Sequence, residues 1–374
     1  MEKRLKKGYT TGTCAQAATK AAVKMLFTGE KTDRIEVELP CAKKLQLKVH
    51  DIEFFYEEGR NKLCQVSCAI HKDSGDDPDV TNGILIYSTV SRTEDGEITL
   101  DGGEGIGRVT KPGLEQEIGQ AAINKIPRKM ILKEVEEACE EYETGCGVHV
   151  LISIPEGRKL AAKTFNPRLG IEGGLSVLGT SGVVEPMSEQ ALLDTIRLEM
   201  KIKRAEGREC LIITPGNYGL DFLEREYGIH EKEVVKCSNY IGQTLDMAVE
   251  QEWKELVLVG HIGKLVKVSG GIMNTHSRWA DCRMELLAAA GIRVGLSSEK
   301  LQKLLDSVTT DDALSYLTEE ERKRVMDQVM KQMMHYLDHR LENKLSAGAI
   351  IYSNEFGVLA KSESVDKMLG RSSR

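Results

Sequence analysis

The sequence predicts two domains of different construction: an α+β domain on an antiparallel sheet-plus-helix plan over residues 1–165, then a Rossmann-like α/β domain with a parallel sheet over residues 166–374. Three observations predict this. In the first part apolar and polar residues alternate: Ile35, Val37 and Leu39 with Glu36 and Glu38, then Leu45, Leu47 and Val49 with Gln46 and Lys48. A period of two suits strands with one wet face. In the second part short unbroken apolar runs appear, Leu211–Thr214 and Leu256–Val259, as in strands buried on both faces. Amphipathic helix patterns separate those runs, and alternation of strand with helix implies βαβ units.

The remaining elements follow in order. A helix is expected from about Cys14 to Phe27, stopping at Gly29, and two more over about Leu114–Asn124 and Arg128–Tyr142, broken at Pro127. Beyond residue 166, Ser188 caps a helix whose stripe is Leu192, Leu193, Ile196 and Met200. Val234-Val235 and Ile292–Leu296 read as weaker strands, and Ile241, Leu245 and Ala248 mark a helix. Thr318 and Glu321 form a capping box before a long helix with the stripe Val325, Val329, Met330, Met333, Leu337 and Leu341. Its methionines read as packing residues of a core or an interface, which leaves a homodimer open. The last dozen residues read as frayed.

Composition bounds the function. The chain has 374 residues, 41% hydrophobic and 29% charged, enough to bury cores that must be aliphatic because aromatics make up 5%. Nine cysteines contain no C-x-x-C pair, and their spacings, Cys64 with Cys68 and Cys139 with Cys146, argue against disulfides and metal. A net charge of −7 disfavours a general nucleic-acid binder. It allows an anionic small substrate held by a local basic patch. Met1–Lys7 does not resemble a secretory signal, and no apolar run approaches the ~20 residues of a membrane span. A soluble, cytoplasmic protein is expected.

Several stretches could carry chemistry. Thr10, Thr11 and Thr13 open the first helix, where free amides and hydroxyls make either an anion site or a plain cap. Asp73–Asp79 carries four carboxylates that suit a hard cation, but its spacing is closer to a polar turn. Gly102–Gly107 leads to Arg108 and Lys111; so many glycines allow close approach of a ligand, though the pattern is not a P-loop. Gly173, Gly174, Gly179, Thr180, Ser181 and Gly182 form a close-approach loop near the junction of the domains. Thr214, Gly216, Asn217 and Gly219 follow one parallel-type strand, and Gly260, His261, Gly263 and Lys264 follow another, where open α/β sheets bind ligands. No ribose-gripping carboxylate stands after Val235, where Cys237 and Ser238 sit. Asn274–Arg278 reads as a helix start continuing through Ala280-Asp281, with His276 as a cap or a carboxylate contact. His335 and His339 read as a solvated helix face.

Five stretches in register resemble the cobalt-precorrin-5B (C1)-methyltransferase family of anaerobic cobalamin biosynthesis: GYTTGTCAQAATKAA, KDSGDDPDVTNG, GGEGIGRVTKPGL, NPRLGIEGGLSVLGTSGVVEPMS and GHIGKLVKVSGGIMNTHSRWAD. The resemblance covers about residues 8 to 360. It implies a first domain similar to ribosomal protein S5 domain 2 and methyl transfer from S-adenosylmethionine to ring carbon 1 of a cobalt-precorrin, with no metal of the protein's own. On that reading Thr214, Gly216, Asn217, Gly219, Gly260, Gly263, Gly179, Thr180, Ser181 and Gly182 hold the donor. Thr10, Thr11, Thr13, Arg108, Lys111, Arg168, Lys264, Lys267, His276 and Arg278 receive the substrate's carboxylates, and His261 orients or handles a proton. Two other classes stay open: a phosphotransferase using the Gly102–Gly107 loop, and a non-catalytic tetrapyrrole carrier.

Overall fold

Helix α1 (Thr11–Thr28), which follows the two-residue strand β1 (Gly8–Tyr9), meets water only along Lys20, Lys24 and Thr28 and near its end at Phe27. Its Cys14, Ala15, Ala17, Ala18, Ala21 and Ala22 are fully buried; side chains this small let neighbouring elements close in from every side. Gln16 and Thr19 interrupt the alanines; both donate within the fold, while Gln16 Oε1 is buried without a hydrogen-bond partner among the described residues. The Gln16 amide donates to Glu134 Oε1 at 2.6 Å and to the Glu38 carbonyl at 3.2 Å, and the Thr19 and Ser88 hydroxyls lie 2.9 Å apart. The helix ends at Gly29, whose φ of 71° suits a residue without Cβ.

The computed structural model describes residues 5–142 and 147–372, in two units, Met1–Glu189 and Gln190–Arg374. In the first unit α1 packs on strands β2 (Arg34–Glu38), β3 (Lys44–Tyr56), β4 (Leu63–His71), β5 (Leu85–Thr93) and the sheet they form with β6 (Ile98–Gly102) and a later strand. After β7 (Arg108–Val109) and α2 (Lys125–Tyr142), β8 (Gly147–Ser153) enters that sheet, whose order is β2-β3-β4-β5-β8-β6. It is antiparallel except where β6 runs parallel to β8. Short α3 (Gly157–Ala161), β9 (Ile171–Glu172) and β10 (Val183–Val184) complete the unit.

Four expectations change here. Residues 166–189 belong to the first unit, because β10 pairs with β1, β9 with β7, and Gly12 N–H donates to the Leu178 carbonyl at 3.0 Å. Residues 114–124 are not helical. Gly113 (φ 106°) and Gly119 (φ 91°) turn the chain, and Ala121 and Ile123 form bridges to Arg108 and Val177. Pro127 does not break a helix; it sits in the first turn of α2, where its missing N–H is not needed. Cys139 is disulfide-bonded, against the expectation of free thiols, while Cys146 lies outside the described residues.

The second unit opens with α4 (Glu189–Ala205) and continues through β11 (Cys210–Thr214), α5 (Asn217–Tyr227), β12 (Val234–Lys236), α6 (Ile241–Glu250), β13 (Glu255–His261) and α7 (Ile262–Val268). Then come α8 (Arg283–Arg293), α9 (Ser298–Asp306), α10 (Thr310–Ser315), α11 (Glu319–Leu341), β14 (Ser346–Ser353), β15 (Gly357–Lys361) and α12 (Val365–Ser372). The sheet order is β12-β11-β13-β14-β15, parallel except for the edge strand β15. One face buries Leu211, Leu256 and Leu258 against α6, α7, α8 and α11. The other buries Ile212, Val257 and Val259 against α5 and α12. Burial on both faces is why these strands lack alternation.

The capping box of α11 forms as expected, and its predicted stripe, with Met326, is buried. Residues 292–296 are not a strand: α8 runs to Arg293 and Gly295 (φ 80°) turns the chain so that Leu296 enters the core. Residues 274–281 are a turn-rich loop rather than a helix, and α8 begins at Arg283. The tail is ordered as α12, with Val365, Met368 and Leu369 in the core.

Met333 is fully buried in the α11 stripe, so Met333→Ala is expected to cost about 2–5 kcal/mol, read as a lower urea midpoint at unchanged slope. Glu321 accepts from Lys300 Nζ at 2.5 Å and from the Thr318 N–H at 2.9 Å. These bonds hold its carboxyl down at about 2. A lowered carboxyl stabilises the fold above its ordinary value of 4.5 and loses that contribution as pH falls toward about 2. Glu321→Gln is expected to flatten that part of the stability–pH curve.

Candidate active site

The order β12-β11-β13 means that the chain reverses direction across the sheet at β11. From β11 it passes through α5 on one face to β12; from β12 it returns through α6 on the opposite face to β13. At their carboxyl ends β11 and β13 therefore release their chains to opposite faces, and a crevice opens where ligands of open α/β sheets bind. The segments lining it are the two that the sequence singled out, 214–219 and 260–264. Lys264 Nζ spans them, donating to the Pro215 carbonyl at 3.4 Å; burial pulls its ammonium below the ordinary lysine value.

The glycines of these segments do different work. A Cβ on Gly216 would meet nothing within 4 Å, so its backbone borders open space at the N-terminus of α5. A Cβ on Gly219 would run into the Thr214 side chain, and one on Gly260 would press on Leu265; both glycines serve packing. Thr214 is fully buried, its hydroxyl directed to the Gly216 carbonyl at 3.4 Å. Asn217 Oδ1 accepts from Lys236 Nζ at 3.3 Å. Gly263 donates its N–H to His261 Nδ1 at 3.1 Å, which makes His261 the N-cap of α7.

That bond also assigns the imidazole. Nδ1 is an acceptor, so the proton of neutral His261 sits on Nε2, which faces Asp311 Oδ2 at 3.6 Å. Burial pulls His261 below the ordinary histidine value, against the attraction of Asp311. Asp311 is held in turn by Ser353 Oγ at 2.5 Å, and the Tyr352 ring meets the imidazole edge-on at 5.7 Å. The Tyr352 hydroxyl is buried without a hydrogen-bond partner among the described residues. With both ring nitrogens engaged, His261 is better placed to orient than to shuttle protons. Asp311, Tyr352 and Ser353 escaped the sequence reading. The apolar run Ala347–Tyr352 was the available signal, since β14 continues the parallel sheet beside β13.

The 274–281 loop is fastened to the same end of the sheet, where Thr275 N–H donates to the Asn239 carbonyl at 3.0 Å, just beyond β12. Lys267 was expected to meet substrate carboxylates. Instead it is buried, and its Nζ donates to the Thr275 carbonyl at 3.2 Å and the Ala280 carbonyl at 2.8 Å. It pins a loop that exposes His276, Arg278 and Trp279. His276 Nδ1 accepts the Arg278 N–H at 3.0 Å. Two exposed aromatics that the sequence reading missed stand here, Trp279 (64% exposed) and Tyr218 (71%); large rings left in water so fully are candidates for ligand contact.

The first-unit candidates are mostly spent internally. Thr10 caps α1, Thr11 Oγ1 accepts the Leu178 N–H at 2.9 Å, and Thr13 Oγ1 donates to the Gly182 carbonyl at 2.8 Å. The two motifs clasp each other, and the expected anion site at the start of α1 is filled by protein carbonyls. Gly179 and Gly182 fit against Thr10 and Thr13, while Thr180 and Ser181 are exposed. Arg108 grips Asp101 with two bonds of 2.7 and 3.0 Å, and with Arg158 and Lys159 it borders a cleft of about 570 Å³. The stem of Lys111 lies over Gly170, beside the turn that carries Arg168. The acidic stretch is a polar turn: Asp73 takes Lys6 and the Gly75 N–H, Asp76 the Lys6 N–H, Asp77 the Met187 N–H, and Asp79 the buried Lys72.

These features define a two-unit α/β protein whose second unit has a topological switch point at the carboxyl end of a parallel sheet. Its sequence matches the CbiD family model over residues 1–186 and the CbiD C-terminal domain model over residues 274–363. The chain belongs to the CbiD family. A relative named cobalt-precorrin-5B C(1)-methyltransferase from Alkaliphilus metalliredigens is 43% identical over 98% of this chain and 95% of its own. One of the same name from Ruminiclostridium cellulolyticum is 49% identical over 85% of this chain and 81% of its own. The 1.9 Å crystal structure of cobalamin biosynthesis protein CbiD from Archaeoglobus fulgidus aligns at 27% identity over 76% of this chain and 84% of that one, with a TM-score of 0.38. Among the described residues no helix is long and apolar enough to cross a membrane.

Lys267→Met removes both bonds to the loop carbonyls while keeping much of the stem's volume. It is expected to raise hydrogen exchange at residues 274–281 selectively, with the exchange of β11 and β13 unchanged.

Proposed function

We propose that this chain transfers a methyl group from S-adenosylmethionine to ring carbon 1 of cobalt-precorrin-5B, giving cobalt-precorrin-6A in anaerobic cobalamin biosynthesis. The observation that carries the reading is the switch point between β11 and β13, whose chains leave for opposite faces of the sheet, in a chain whose relatives of that name match it over most of its length. The first unit, with a helix laid on a largely antiparallel sheet, is read as S5-domain-2-like, and the second as Rossmann-like.

The residues of the crevice suit an adenosyl donor. Gly216 leaves room for a ligand against bare backbone, Asn217 offers an amide, and Tyr218 offers an exposed ring. These residues and Gly263 would hold the donor, whose sulfonium supplies an electrophilic methyl group. An electron-rich macrocycle is itself the nucleophile, so the protein needs to align more than to abstract a proton. His261, fixed by Gly263 and facing Asp311, is a positioning residue. Arg278, His276 and Lys264 present positive or hydrogen-bonding groups to a ring fringed with carboxylates, and Trp279 gives a face on which a flat ring can stack.

Anaerobic incubation with S-adenosylmethionine and cobalt-precorrin-5B is expected to add the mass of one methyl group to the substrate. Gly216 has extended backbone and open surroundings, so Gly216→Val disturbs a ligand without disturbing the fold. Calorimetric affinity for S-adenosylhomocysteine is expected to fall about tenfold or more in that variant. Unchanged affinity removes the donor from this crevice.

A further inference from the structure

One acid of helix α5 stands uncommitted. Asp221 is exposed and makes no hydrogen bond or ion pair among the described residues. The other acids of that helix are engaged: Glu224 Oε1 lies 3.2 Å from His230 Nδ1, and Glu226 takes Arg225 Nε at 2.8 Å. Arg225 follows Asp221 by four residues, the spacing of a helical ion pair. It turns instead to Glu226 and lies over the Phe222 ring, 6.0 Å from the centroid. Helical side chains lean toward the N-terminus, so the surface that Asp221 covers lies over the turn of Asn217 and Tyr218. That turn directly follows Gly216, whose backbone borders open space.

Tyr352 carries a second unmatched group. The residue is 2% exposed, and its hydroxyl has no hydrogen-bond partner among the described residues. Its ring stacks on Phe222 of the same helix at 4.2 Å, with the planes 5° apart. Burial first, then the Asp221 charge, push the phenol up to about 12, against Arg225. Both charges that act on this hydroxyl therefore belong to α5. A buried donor left unmatched is costly, and such groups are retained where a site requires them. Tyr352 pairs in register with His261, at the same end of the sheet as the switch point.

We infer that Asp221 grips the ribose diol of the adenosyl donor, a role that rests on the donor reading above. Each carboxylate oxygen accepts one hydroxyl of the diol, in charge-assisted bonds. No covalent bond changes at this acid and no proton leaves it. Tyr218 offers its exposed face to the base, and Asp221 follows it by three residues. A sugar bonded to a base stacked there falls within one helical turn, ~5.4 Å. The Tyr352 hydroxyl is a fixed dipole that supports the carboxylate's charge. In dinucleotide-binding folds the ribose acid comes about 20 residues after the glycine turn. Here Cys237 and Ser238 occupy that place, and α5 supplies the acid instead.

The test is calorimetric, on the full chain, with three probes. They are S-adenosylhomocysteine, its 2′-deoxy analogue, and 5′-methylthioadenosine, which keeps the diol and lacks the amino acid. Asp221→Ala places a strong helix former at an exposed position and leaves the fold intact. It is expected to weaken S-adenosylhomocysteine and 5′-methylthioadenosine alike, by about tenfold. The 2′-deoxy analogue is expected to bind the unaltered chain more weakly than S-adenosylhomocysteine does, and to bind Asp221→Ala equally well. Asp221→Asn, whose amide oxygen still accepts a hydroxyl, should fall between. Unchanged affinity in Asp221→Ala, or a preference for the 2′-hydroxyl that survives it, overturns the inference. A loss confined to S-adenosylhomocysteine does so too, because it puts the carboxylate on the donor's ammonium group. In each case a loss in Gly216→Val keeps the donor in this crevice, whereas unchanged affinity in both variants overturns the donor reading as well.

Discussion

Neighbouring strands β11 and β13 are held in parallel register from Cys210 and Glu255 to Ile213 and Leu258, yet their chains leave for opposite faces of the sheet. The functional reading depends on that constraint. Because α5 covers one face and α7 the other, neither helix closes the strand ends, and backbone at Gly216 stays bare. The sheet tolerates the opening because its middle is sealed: Ile213, Leu258, Val257 and Ile350 are fully buried, and their packing fixes the strand ends to which the crevice residues are attached.

Around this opening the polar groups are mostly second supports rather than free reagents. His261 caps α7, Asp311 takes the Ser353 hydroxyl, and Lys267 is sunk beneath the 274–281 loop. Few groups remain free to act as acid or base. That restraint accords with a reaction in which the substrate brings its own nucleophile and the protein's task is alignment. The first unit follows the same economy. The hydroxyls of Thr11 and Thr13 and the acidic turn at 73–79 hold chain to chain.

Much of the fold was legible because local rules and tertiary context agreed. The alternation of residues 35–49, the unbroken runs of β11 and β13, and the capping box at Thr318 each report burial directly. Glycine-rich stretches misled in a consistent way. Gly102–Gly107 and Gly179–Gly182 read as ligand loops, yet Gly102, Gly103 and Gly107 are packed against Ile106, Leu151 and Ile171, and Gly179 against Thr10. A glycine demanded by a neighbouring chain and one demanded by a ligand look the same in sequence. Among the candidate glycines, Gly173 and Gly216 are the ones at which an added Cβ would meet nothing within 4 Å. The 274–281 segment misled because its His and Asp resemble helix-start residues, whereas its conformation is imposed by Lys267 and Asn239.

By itself the sequence determined the two construction plans, the strands that end at the crevice, and the family, because periodicity, capping and motif order are written along the chain. The tertiary structure alone decided which threonines, glycines and lysines are consumed in packing, and how Asp311 and Tyr352 meet His261. Each of these is set by strand register and by the partner each polar group finds on burial, and neither is encoded within any one segment.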